Sequence, residues 1–390
     1  MRESTLLRMK NIVDEFVAWQ DEDGSISKVR CPYFQKEYKP YFRYMEIPFI
    51  ARAIYKYYSL SKDLKYKLAA DRYLLFYLKY VENLVTSEKI AYKFGMALEA
   101  AALYAHHNYD QVQAMHTHSQ LLFLWLSQLR THDHGSAFFC GYNGLEFGSA
   151  NAINNFECPD VGFSDDLLHV GRGLLRTYEL YREDKVKTAL LALANYYLTD
   201  LKKGTMDGIW SNELGTWAIG PWPHKNFEHI ENAAANECAW VFSSFGAPDY
   251  LLDLLPYVDN EDFSAKVIDH AKKSLNWIIE QCQFEDGAVG MLMRDDKWVG
   301  LTGCLVMLAC KLFQVNAFTE AEMLRFRLPV RKAYTWLLLN TGSQLPVAGF
   351  IKVTGITQPI PGDNVAWLLA HAAEGLFIED DVALFLGEAV

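Results

Sequence analysis

The chain is 390 residues long and carries 37 basic and 48 acidic side chains, a formal net charge of −11. That balance speaks against binding along a phosphate backbone, which needs a clustered basic surface, and no apolar run reaches the roughly 20 residues that span a bilayer. Met1-Arg2-Glu3-Ser4 leads into no secretory h-region, and seven scattered cysteines without a CxxC pair point to free thiols in the cytoplasm rather than to a zinc site.

Apolar residues at helical spacing predict twelve helices in six successive pairs. The first covers about residues 3–20, with Leu6, Leu7, Ile12, Val13, Phe16 and Val17 on one face, and stops at Asp23-Gly24. A long aromatic loop (Tyr33, Phe34, Tyr38, Tyr41) leads to a second helix over about 43–60. Only a Ser-Lys-Asp turn separates it from a third, about 62–83. The fourth, about 93–107, is rich in small residues around Gly95 that suit close packing. The remaining pairs fall at about 110–130 and 164–181, 184–203 and 227–245, 261–283 and 298–314, and 319–340 and 363–375.

Connections alternate long and short. A short turn makes antiparallel neighbours of the two helices it joins, so the alternation describes an all-α (α/α)6 toroid of six helical hairpins. The first helix of each pair lies outside and the second inside, which gathers the long loops on one rim. No linker-like stretch divides the chain, so residues 1–390 read as a single domain. Outer helices end on a weak repeat: Asp21-Glu22-Asp23-Gly24-Ser25, Asp133-His134-Gly135-Ser136, Asp207-Gly208-Ile209-Trp210 and Glu285-Asp286-Gly287-Ala288. Each predicts a helix C-terminus closed by a left-handed glycine, then a short extended piece.

The outer-helix ending Trp277-Ile278-Ile279-Glu280-Gln281-Cys282-Gln283-Phe284-Glu285-Asp286-Gly287 resembles that of many six-hairpin toroids, both carbohydrate-active barrels and terpenoid-cyclase/prenyltransferase toroids. Ser164-Asp165-Asp166-Leu167-Leu168 is similar to the paired aspartates that open an inner helix in endo-α-mannanase-type glycosidases. Leu167-Leu168-His169 stand where those enzymes commonly have tryptophans. The resemblance implies the toroid and a carbohydrate-active site.

Asp165 and Asp166 are the leading catalytic candidates. The positive end of a helix favours ionised carboxylates, and glycoside cleavage needs two carboxyl groups, one protonated and one ionised. The same residues would also serve as ordinary first-turn acids behind a Ser164 cap. A second group lies between Trp210 and Glu237. Trp210, Trp217 and Trp222 offer flat plates for sugar C–H faces, His224 and Glu228 are further catalytic candidates, and Glu231 shares a helix face with Glu228. The competing reading is a loop whose indoles pack inward. Tyr44, Tyr142, Asp286 and Trp298 complete the binding candidates, Asp286 with a turn residue as its alternative role. Isolated histidines supply no metal set, and no phosphate-binding glycine loop appears, so neither metal nor other cofactor is expected.

The reading is a glycoside hydrolase acting on an oligosaccharide, with neither nucleic acid nor membrane as partner; oligomeric state has no signal in the sequence. Alternatives are a uronic-acid lyase or sugar epimerase, which would need a Tyr or His base such as Tyr44 or His224, with Arg43 or Arg294 for a carboxylate. A terpenoid-cyclase or prenyl-transfer toroid and a non-catalytic binding toroid also stand, though the Asp-x-Asp-Asp acid motif of protonating cyclases is missing.

Overall fold

The helical periodicity carries through into the computed structural model, which describes residues 1–26, 47–84, 91–128, 164–201, 208–218, 239, 241–291, 294, 297–341, 350–351 and 365–388. The first helices are α1 (Glu3–Trp19), α2 (Ile47–Ser61), α3 (Leu64–Leu84), α4 (Ala91–His107), α5 (Val112–Gln128), α6 (Ser164–Tyr181) and α7 (Asp184–Leu198). After them come a hairpin of β1 (Trp210–Ser211) and β2 (Thr216–Trp217), then α8 (Val241–Leu254) and α9 (Glu261–Trp277), which runs on into a π turn at Ile278–Cys282. A second strand pair, β3 (Lys297–Trp298) with β4 (Phe350–Ile351), brackets α10 (Val299–Gln314) and α11 (Glu320–Asn340). The last helices are α12 (Val365–Phe377) and α13 (Glu379–Leu386). No described helix is long and apolar enough to cross a membrane.

Three boundaries differ from expectation. The helix predicted over 184–203 stops at Leu198, because Thr199 turns extended and Leu201 N–H bonds Trp210 O at 2.7 Å. Residues 241–254 are helical, whereas the apolar pattern placed an end near 245. Gly246-Ala247-Pro248 reads locally as a breaker, yet nearly every side chain from Val241 to Leu254 is buried, and packing overrides the proline. Helix α13 was not anticipated.

Two compact units divide the chain, Leu74–His270 and Met1–Tyr73 with Ala271–Val390. The divisions fall inside α3 and α9 rather than in a linker. Within Leu74–His270, α4 packs most extensively on α6, and α6 also packs on α8. Within the other unit, α10 packs on α12 and α12 on α2. These even-numbered helices are buried nearly all round, as α10 shows, whereas odd-numbered helices keep a face in water, as with Leu324 and Leu328 of α11.

Glycines let the even helices approach backbone to backbone. A Cβ on Gly173 would lie 1.9 Å from Gly95 O, and one on Gly303 would lie 2.6 Å from His371 O. Gly173→Ala is therefore expected to destabilise the protein by about 1–3 kcal/mol or more, read as a lower urea midpoint. An unchanged midpoint would mean that α4 and α6 separate freely.

The outer-helix repeat has a different geometry from the one expected. Helix α1 ends on Gln20 and the π turn after α9 on Gln283, both extended. The left-handed glycines, Gly24 (φ 90°) and Gly287 (φ 101°), sit in the tight turn that follows. Asp21 N–H then bonds Ser25 O (2.9 Å) and Phe284 N–H bonds Ala288 O (2.8 Å). Each glutamine reaches a carbonyl of the next outer helix, Gln20 to Ala69 O (2.9 Å) and Gln283 to Pro329 O (2.9 Å). At Gly208 the need is space rather than φ, since a Cβ would meet Thr199 O at 2.2 Å. The short turns between hairpins place Lys62, Arg182 and Asn316 at φ near +55 to +58°. Lys62→Gly is expected to stabilise, by less than about 1 kcal/mol after the entropy of glycine is counted, and a lower thermal midpoint would contradict this.

Candidate functional site

In Leu74–His270, Asp165 and Asp166 occupy the first turn of α6, as the sequence predicted. Their side chains lie outside the described set. One turn further, His169 is buried with its ring 5.9 Å from Phe242 of α8. Below it Arg172, also buried, stands between Glu99 of α4 (3.8 Å) and Asp249 of α8 (3.5 Å). The aspartates thus open a helix whose next turns are clamped on both sides by charge and by the Gly95–Gly173 contact. Sequence reasoning missed His169, Arg172, Glu99 and Asp249. Lone charges inside otherwise apolar inner helices were the available signal.

The β1–β2 hairpin corrects two binding candidates. Trp210 is 1% exposed and stacks on His270 of α9, with ring centroids 3.7 Å apart and planes 6° from parallel. Trp217 is 0% exposed and donates its indole N–H to Tyr197 O at 2.8 Å. Both indoles turn into the unit and anchor the hairpin on α7 and α9, so neither offers an open plate to a sugar. Paired positions across a two-stranded hairpin share a face, and here that face is the packed one. Trp222, His224, Glu228 and Glu231 lie outside the described residues, as do Tyr44 and Tyr142.

In the other unit, Asp286 sits in the turn after α9. Its carboxylate holds Lys297 Nζ at 2.6 Å and accepts the Ala288 N–H at 3.3 Å. Burial pushes this carboxyl up, and Lys297 with the Ala288 N–H more than reverses the effect, leaving it below the ordinary range. Trp298 is buried, donates its backbone N–H to Val289 O (2.9 Å) and accepts Thr302 Oγ1 (2.8 Å) through its own carbonyl. Turn closure and strand-to-helix packing account for both residues without a ligand. Arg294 uses its guanidinium on Gln283 O (2.7 Å) and Glu280 O (2.9 Å), which satisfies carbonyls at the end of the π turn.

The same unit holds a second buried polar cluster absent from the sequence reading. Glu374 of α12 is met by the Arg52 guanidinium through both Nε and a terminal nitrogen, the latter at 3.0 Å, by Lys56 Nζ at 3.1 Å and by His371 Nδ1 at 3.0 Å. Phe49 and Trp367 present ring edges to His371 at 5.4 and 6.0 Å.

No family model matches the chain, and no curated protein matches it in sequence. Solved structures do. An α-1,6-mannanase from Salegentibacter sp. aligns over 96% of this chain and 99% of its own, with 11% identity and a TM-score of 0.65. An unsaturated glucuronyl hydrolase from Bacillus sp. aligns over 96% and 94%, with 12% identity and a TM-score of 0.65. A cellobiose 2-epimerase from Bacillus thermoamylovorans aligns over 96% and 100%, with 11% identity and a TM-score of 0.62. The fold is the (α/α)6 toroid. One further structure is an inactive variant of the mannanase in which two adjacent aspartates are replaced, in complex with α-1,6-mannotriose.

Proposed function

We propose that the protein is a glycoside hydrolase that cleaves an oligosaccharide with Asp165 and Asp166 as its carboxyl pair. One carboxyl is kept protonated to donate to the leaving oxygen, and the other is ionised as base or nucleophile. The observation that carries the reading is the adjacent pair in the first turn of α6, set beside a mannanase of the same fold that is inactive when two adjacent aspartates are replaced. The helix start favours negative charge on one carboxylate, and the neighbouring charge then raises the other, which is the division of labour that the chemistry needs. His224 and Glu228 remain further catalytic proposals, with Tyr44, Tyr142, Trp222 and Glu231 as sugar contacts. A cytoplasmic setting goes with this reading, on the seven scattered cysteines without a CxxC pair.

The test is incubation of the wild-type protein with α-1,6-mannotriose, cellobiose and an unsaturated glucuronyl disaccharide, followed by chromatography of the products. Hydrolysis yields one new reducing end per bond cleaved. Tight binding of a glycan without any cleavage would replace the enzyme reading with a binding toroid.

A further inference from the structure

Helix α5 lies in the unit Leu74–His270 and precedes α6, the helix of the aspartate pair, in the chain. It packs chiefly on α4, through a buried side that includes Ser119, Leu122 and Leu126. Its histidines, His116 and His118, are two residues apart and so point to opposite flanks. On one flank, His116 Nε2 lies 2.8 Å from Glu183 Oε1 in the turn between α6 and α7, and Gln120 donates to the same oxygen at 2.9 Å. The His116 ring also stacks on Tyr181, with centroids 4.4 Å apart. On the other flank, His118 Nδ1 lies 3.0 Å from Glu82 Oε1 in the last turn of α3.

His118 Nε2 is buried and has no hydrogen-bond partner among the described residues. A carboxylate only accepts, so the Glu82 contact puts the hydrogen on Nδ1 and leaves the lone pair on Nε2. Adding a proton would bury a charged ring with an unanswered N–H. That costs more than an ion pair with an exposed carboxylate returns, and Glu82 is 47% exposed. Burial accordingly pushes the ring down, Glu82 offsets only part of this, and the imidazole titrates below its ordinary 6.5. Among the described residues Glu82 is the charged group that acts on it; α4 and the turn between α6 and α7 add none. Because the folded value is the lower one, the stability supplied by neutral His118 is complete above about pH 6.5 and is lost as pH falls through the folded value.

We propose that α5 is an acid-released helix with His118 as its latch. At neutral pH the ring ties α5 to α3 through Glu82. In mild acid Nε2 takes a proton from solvent water, the new N–H has no acceptor in the packed position, and this flank opens to hydrate it. The other flank stays on Glu183, which His116 and Gln120 hold together. The latch is independent of the paired aspartates.

Amide hydrogen exchange of the whole protein tests this, at about pH 7.5 and about pH 5.5, one unit either side of the ordinary histidine value. With intrinsic exchange rates divided out, protection of the α5 amides is expected to fall on acidification by up to about tenfold per pH unit, the limit for one proton. His118→Asn can still donate an amide N–H from the place of Nδ1 but cannot titrate. In that variant α5 protection is expected to be the same at both pH values, whatever its level. Nitrogen-15 spectroscopy of the labelled wild-type protein needs no variant, and there the His118 ring is expected to be neutral with hydrogen on Nδ1 at the higher pH. Wild-type α5 protection that does not change with pH, an equal fall in His118→Asn, or hydrogen on Nε2 of the neutral ring overturns the proposal.

Discussion

Asp165→Asn and Asp166→Asn are each expected to lower glycoside turnover by about 10²–10⁴-fold, the usual contribution of a positioned acid or base, while leaving the melting temperature nearly unchanged. Asparagine keeps the size and the capping ability of aspartate at a helix start, so α6 still forms. What it removes is the ionisable proton. The first turn of α6 is held from below by Arg172 between Glu99 and Asp249, and by the backbone approach of Gly173 to Gly95. A changed side chain in that turn therefore alters chemistry more than architecture. Paired measurements of kcat/KM and thermal midpoint separate the two effects. Wild-type turnover in both variants would remove the pair from the mechanism, whatever the fold.

Arg52→Met is expected to lower stability by about 3–5 kcal/mol, the range for breaking a buried ion pair by removing one partner. Methionine fills the hydrocarbon volume of arginine but leaves Glu374 with Lys56 and His371 alone. These two remaining partners place the effect toward the lower end. The folded carboxyl of Glu374 lies well below its ordinary value of 4.5. Its stabilisation is thus complete above about pH 4.5 and is lost as pH falls through the lower folded value. In Arg52→Met the folded value rises toward the ordinary one, so the variant should lose less stability on acidification than the wild type. Urea midpoints at pH 7 and at about pH 3.5, below the ordinary carboxylate value, check both statements. Equal midpoints at pH 7 for the two proteins would show that the cluster contributes nothing to stability.

Most of the fold was legible because helix formation is periodic. Ile12, Val13 and Phe16 mark the buried stripe of α1, and Asp21 to Gly24 mark its end, whichever helix it later meets. The site was legible in part. Asp165 and Asp166 announce themselves at the start of α6, since both capping and catalysis favour acids there. Trp210 and Trp217 carried the opposite lesson: an indole in a loop is equally suited to binding a sugar and to bolting a hairpin onto His270 and Tyr197. Local sequence holds no term that distinguishes these outcomes, because the deciding surface comes from α7 and α9.

Sequence alone determined the order and sidedness of the helices up to α12, because apolar spacing, turn residues and first-turn acids act over a few residues. Tertiary structure alone decided that Arg52, Lys56, His371 and Glu374 form one cluster and that Arg172 stands between Glu99 and Asp249. Arg52 and Glu374 are 322 residues apart, and no periodicity reaches that far. Their meeting depends on which inner helix packs beside which, and a buried charge reveals its partner only once that packing has excluded water.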